Sequence, residues 1–143
     1  MTRPSLLGPC VRTVETVLKE DGVVNGLVGG RVNDDTVQRP TYPYIRVESA
    51  EELSLNTMGA RTQPKFGSEA TVRIRVCSQY RGEREVNDIC AAVMDALDGH
   101  RQEIEGFAGR PYFHFARTTP LQDSVGAVIT REWLMEFDIV AHQ

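Results

Sequence analysis

Few residues in this 143-residue chain are of types that could carry chemistry. They are three histidines, three cysteines, two adjacent aspartates, some scattered serines and one double glycine. The double glycine lies in GLVGGRV, residues 26–32, and raises the question of a phosphate site. A phosphate loop needs GxxxxGK[ST] between a strand and a helix, so that backbone amides and a lysine surround the anion. Here the glycines follow an apolar helical segment and lead into a polar loop, with no Lys-Ser or Lys-Thr behind them. A dinucleotide fingerprint fails for the same reason, since no strand precedes it. Gly29 and Gly30 read as a helix stop and a turn.

The other candidates fare no better. His100, His114 and His142 lack metal-ligand spacing, and none is near a cysteine in sequence. His100 follows a helix stop, His142 lies near the chain end, and His114 is expected as a partly buried, hydrogen-bonded strand residue. Asp34 and Asp35 sit in a polar loop without an HExxH context. Ser49, Ser54, Ser68, Ser78 and Ser124 lack the G-x-S-x-G elbow of a nucleophile. Glu51, Glu52, Glu83 and Glu85 read as solvated charge. No catalytic, metal-binding or cofactor-binding residue is assigned. A small enzyme with a sequence-dispersed site stays open as an alternative; it predicts a deep polar pocket with convergent ionisable groups.

Cys10, Cys77 and Cys90 are odd in number and share no CxxC spacing, which predicts reduced thiols in a cytosolic setting rather than a disulfide framework or zinc site. With 16 Lys and Arg against 20 Asp and Glu, the net charge is −4. A protein that grips nucleic acid by its phosphates should be basic, so this chain is expected to lie near DNA at most without holding it. No apolar run approaches the roughly 20 residues of a membrane span. Leu7 and Cys10 faintly suggest a lipoprotein cleavage site, but a signal needs an apolar stretch of about 7–15 residues, so the N-terminus reads as an ordinary flexible end. The length predicts one domain over residues 1–143.

The elements that would position these residues follow from periodicity. Val11, Val14 and Leu18 mark a short amphipathic helix over 11–20; Asp21-Gly22 interrupts it, and VVNGLV continues as a helical turn. Residues 33–43 read as loop. Strands are predicted at 43–50, 70–78, 111–118 and 126–141, and a second helix at 83–98, stopped by Gly99. In 70–78, Val72, Ile74 and Val76 alternate with Arg73 and Arg75. In the last strand, Trp133, Met135, Phe137 and Ile139 alternate with Glu132, Glu136 and Asp138. Trp133 shares the apolar side and is expected in the core. The order α-β-β-α-β-β predicts an α+β fold. It would be a two-layer α/β sandwich, its mainly antiparallel four-stranded sheet carrying two helices on one face. The opposite face would carry Arg46, Arg73, Arg75, Glu132, Glu136 and Asp138, either as a solvated surface or as one complementary to a partner subunit.

Residues 50–69, between the first two strands, are too many for a tight hairpin turn, since loops beyond about 12–15 residues tend to be functional or disordered. Leu53, Leu55, Met58 and Phe66 give them more apolar content than a plain linker. Leu53 and Leu55 alternate, which suits strands running on as an arm. Either the segment folds back on its own domain, or it projects and another chain covers it.

Taken together, LVGGRV, YPYIRVES and the strand-to-helix unit VRIRVCSQYRGEREVNDICAAV resemble the tail terminators of long-tailed phages. These are also called tail-completion or tail-to-head joining proteins, and gene transfer agents carry relatives. The resemblance covers most of the chain, with its most specific pieces at Leu27–Val32, Tyr42–Val47 and Val72 to Leu97. It implies a structural virion protein of the head–tail junction, made in the host cytoplasm and needing no cofactor. Six copies would form a ring that caps the completed tail tube and ends its polymerisation. The partners it implies are the chain itself, the tail-tube protein and a head-completion or stopper protein of the neck. DNA would pass through the lumen unbound, which suits a net negative charge, and no membrane is involved. For such a ring, Leu53, Leu55, Met58 and Phe66 are expected to bury against a partner, with Arg61 and Lys65 steering. Arg73, Arg75, Glu132 and Glu136 are expected at the subunit interface, a head-to-tail contact of the kind that closes rings. Another neck component, or a monomeric binding module, would be the competing readings.

Overall fold

The computed structural model describes residues 5–34, 40–56, 66–107, 109–125 and 128–142. Helix α1, Leu7–Glu20, buries Cys10, Val14 and Leu18, one residue per turn on a single face. Asp21 then leaves helical geometry (φ −71°, ψ 119°), ending α1. The same residue starts α2, Gly22–Val28: its Oδ1 accepts hydrogen bonds from the Val23 and Val24 amides at 3.1 and 3.0 Å. It therefore satisfies two of the donors that a helix start leaves free. Gly29 ends α2 in the left-handed region at φ 61°, where a Cβ would sit 2.7 Å from the Arg31 guanidinium.

From that turn the chain makes a short strand, β1, Val32–Asn33, which runs parallel to β2, Tyr44–Asn56. The Ile45 amide donates to the Arg31 carbonyl at 2.9 Å, and Arg31 Nε donates to the Pro43 carbonyl at 2.9 Å, so both ends of the intervening loop are tied. β3, Phe66–Ser78, α3, Arg84–Leu97, β4, Phe113–Val125, and β5, Val128–His142, complete the order. The sheet runs β1-β2-β3-β5-β4, and every pair except β1–β2 is antiparallel.

The expected four-stranded, mainly antiparallel sheet with two helices is thus corrected. Among the described residues the sheet is five-stranded and mixed, three helices accompany it, and the order is α-α-β-β-β-α-β-β. VVNGLV is a separate helix because Asp21 caps it anew. β1 lies at the start of the expected loop, held to β2 by backbone pairing that leaves no alternation to read.

α1 packs on β2 and β3, α3 packs on β3, β4 and β5, and α2 packs on both other helices. Ile45, Val47, Val72, Ile74, Val76, Met135, Phe137 and Ile139 meet the helices in one buried cluster, with Trp133 partly buried at its margin. Two β-bulges interrupt the ladders, between Ser49 and Glu51 and between Phe115 and Arg117. β4 runs beyond the expected 111–118, through Pro120, because it is an edge strand, where a missing N–H faces outward without loss.

Ile74 is fully buried on the central strand, so Ile74→Ala should destabilise the protein by about 2–5 kcal/mol. Asp21→Ala should cost about 0.5–2 kcal/mol through lost capping. Urea unfolding of each variant checks both.

Candidate functional site

On the sheet face turned away from the helices, the charged residues expected at an interface come together as an ordered ladder. Arg75 on β3 donates through Nε to Glu48 on β2 at 2.8 Å, and through Nη1 to Glu132 on β5. Arg73 on β3 lies 3.7 Å from Glu136 on β5, which accepts from Arg117 on β4 at 3.2 Å. Arg46 is 3.7 Å from Glu48, and the Thr71 hydroxyl donates to Asp138 at 2.7 Å. Hydrogen bonds to Glu132 and then Glu48 raise the Arg75 pKa further, outweighing its partial burial. Glu136 is only 8% exposed, so its two guanidiniums compensate a largely desolvated charge. Arg73, Arg75, Glu132 and Glu136 are therefore joined within the chain, with Arg117 and Glu48 as members that sequence spacing did not single out. Register explains why: Arg73↔Glu136 and Glu48↔Arg73 are directly paired positions, which only the fold aligns.

Of the residues expected on the arm, Leu53 lies on β2 and is half exposed. Leu55 and Phe66 fall on the facing strands, at Leu55↔Gly67 and Asn56↔Phe66. Met58, Arg61 and Lys65 lie outside the described residues. The register Leu53↔Glu69↔Val140 brings Val140, itself exposed, onto the same face as Leu53.

Two carboxylates do more than solvate. Glu52 accepts from the Leu6 amide at 3.2 and 3.0 Å and from the Ser5 hydroxyl at 3.1 Å, holding the start of α1 against β2. Glu85 accepts from the buried Ser78 hydroxyl at 2.8 Å. Both readings as simple solvated charge are corrected; each contact spans elements that sequence spacing does not bring together. His114 is exposed beside Tyr112, not partly buried, since it takes the open face of an edge strand.

Ionisable and apolar residues line the surface depressions together. One of about 470 Å³ is lined by α1 residues such as Arg12 and Glu20 together with Gln102 and Glu105, and another of about 260 Å³ by Leu27, Tyr80, Arg84, Glu85 and Asp88. Among the described residues no group of three His, Cys, Asp or Glu is placed to hold a metal. Cys10, Cys77 and Cys90 are free and buried. Burial, helped by the Glu52 charge, pushes the Cys10 thiol up to about 12, and burial alone does the same for Cys90. Burial takes Cys77 to about 11 despite its hydrogen bond with Tyr44. Such thiols are poor nucleophiles.

Residues 12–142 match the sequence model of a family described as tail completion protein gp17. Among solved structures, the chain is similar to one in the virion of a native gene transfer agent particle. The TM-score is 0.71 and the identity 21%, over 99% of this chain and 100% of that one. That likeness is one of fold. No curated protein matches the chain.

The thiols carry a pH signature. Below the ordinary value of 9.0 they are protonated whether the chain is folded or unfolded. Above it the unfolded chain ionises first, so stability should fall as pH rises from about 9 toward 11–12. The urea midpoint should drop between pH 8 and pH 10.5, and thiol reagents should label the cysteines only after unfolding.

Proposed function

The chain belongs to the tail completion protein gp17 family, and from that premise we propose that it forms a ring capping the completed tail tube. The family makes it a structural protein of a phage tail, a component of the virion and not an enzyme. The ring would end tube polymerisation and join the tail to the head. It would assemble in the host cytoplasm from six copies of one domain spanning residues 1–143. The tail-tube protein would lie on one side and a head-completion protein on the other, with DNA passing through unbound.

One observation carries the reading beyond the family name. β2 runs well past Val47, its last described core residue, and stays paired with β3 to Asn56 and Phe66. Leu53 on that extension is 50% exposed, with Val140 at 40% across Glu69 on the same face. A sheet end that leaves apolar side chains in water is suited to burial by a partner. Leu53, Leu55, Met58 and Phe66 would supply that burial, with Arg61 and Lys65 steering the approach. Arg73, Arg75, Glu132 and Glu136 would act at the subunit contact as a preformed network rather than as free charges.

The test is the native mass of the purified protein, alone and with its tail-tube protein, together with imaging of tube ends. Closed rings at tube ends are expected. A monomer that ignores tubes and binds a neck adaptor instead would sink the capping role. Leu53→Ala should weaken capping several-fold while leaving the urea midpoint almost unchanged, because Leu53 contributes little to the chain's own core.

A further inference from the structure

The charge ladder has a direction. Across the sheet the strands contribute carboxylate, guanidinium, carboxylate, guanidinium: Glu48 on β2, Arg73 and Arg75 on β3, Glu132 and Glu136 on β5, Arg117 on β4. One side of the sheet therefore ends in a carboxylate and the other in a guanidinium whose side chain is 67% exposed. Arg46 is the exception to the pattern, and it leans on Glu48.

Both sides also end in stretches of backbone that no described residue pairs. β1 covers β2 only at Ile45 and Arg46, and no described residue pairs with the outer edge of β2 beyond them. The Ile45 amide points outward to Arg31, and the parallel Asn33↔Arg46 register takes the Val47 amide to the Asn33 carbonyl, so by the same alternation Ser49 is the next residue to present its amide outward. An open groove of about 270 Å³ follows this edge, lined by Leu7 and Val11 of α1 together with Asp34, Val47, Glu48 and Ser49. On the far side, segment 98–101 covers β4 only as far as Phe115. Past its bulge, β4 has no partner on that side among the described residues. There Thr118 and Pro120 lie opposite Met135 and Trp133 on the helix side of the sheet, and Arg117 lies on the ladder side.

We propose that the outer edge of β4 in one copy of the chain adds to the outer edge of β2 in the next, continuing both sheet and ladder from copy to copy. The inference rests on the ring reading above. Arg117 meets the carboxylate end of its neighbour, and Thr118 and Pro120 face the groove beside Leu7 and Val11. Because the two edges differ, the contact is head-to-tail, the kind that generates rings or filaments. Pro120 removes one donor from the join, which limits backbone pairing and leaves charge pairing a large share of the affinity.

Cross-linking tests this directly. Ser49→Cys and Thr118→Cys place thiols on the two edges, and the native thiols are buried. Within one chain β2 and β4 are three strand spacings apart, roughly 14 Å, beyond a short bis-maleimide. Treated on tail-tube ends, the double variant should give a ladder of covalent multimers and neither single variant any product. Imaged rings without a ladder would overturn the edge contact and leave the ring reading standing. Products in a single variant would show a two-fold contact and overturn it too. If no rings form at all, the ring reading fails and takes this inference with it. Arg117→Gln should raise the concentration at which rings dissociate on the order of tenfold and reduce their salt sensitivity. An unchanged value would remove Arg117 from the join.

Discussion

β3 is paired along its whole length, to β2 on one side and β5 on the other, and its alternation fixes where both neighbours can sit. Ala70, Val72, Ile74 and Val76 point to the helices, and Thr71, Arg73 and Arg75 point away. A slip of one residue would drive guanidiniums into the core and expose the aliphatic set, so register is strongly specified. The same two-residue period thus builds the hydrophobic core and aligns the ladder. The bulges matter for this reason as well. Each inserts one residue into an outer strand, and past them Glu52 is brought to α1 and Arg117 to Glu136.

The ladder is a specificity device more than a source of stability. Exposed ion pairs contribute little singly, and a buried pair is offset by desolvation. What it does provide is geometric selection: planar guanidiniums bridge carboxylates on successive strands, and lysines would not reproduce that fork. A face whose charges are already neutralised in place also has little tendency to hold a polyanion, consistent with the net negative charge of the chain.

Long periodic segments were legible from sequence because each has one buried side. α1, α3 and the inward residues of β3 and β5 follow from Val14, Leu18, Ile89, Val93, Ile74 and Phe137 alone. The tail-completion family was legible too, through LVGGRV, YPYIRVES and the β3-to-α3 unit. The strand and helix counts were not, because β1 has no side-chain pattern and Asp21 serves two helices at once. Nor was the passage of β4 through Pro120, which depends on β4 being an edge. The roles of Glu52, Glu48 and Arg117 depend on partners tens of residues away. The arm is legible only in part: its strands run on as the Leu53–Leu55 alternation suggests, while Met58, Arg61 and Lys65 fall outside the described residues.

The three buried thiols have a consequence for the working life of the particle. In the proposed cycle, assembly in the host cytoplasm is followed by aerated surroundings outside the cell. A disulfide framework could not be relied on to form during assembly, and exposed thiols would oxidise or cross-link after release. With Cys10 and Cys90 held up at about 12, both stay protonated near neutral pH, and all three cysteines are buried. Burial of Cys10, Cys77 and Cys90 would thus let the fold pass between those two redox environments without a change in its covalent state.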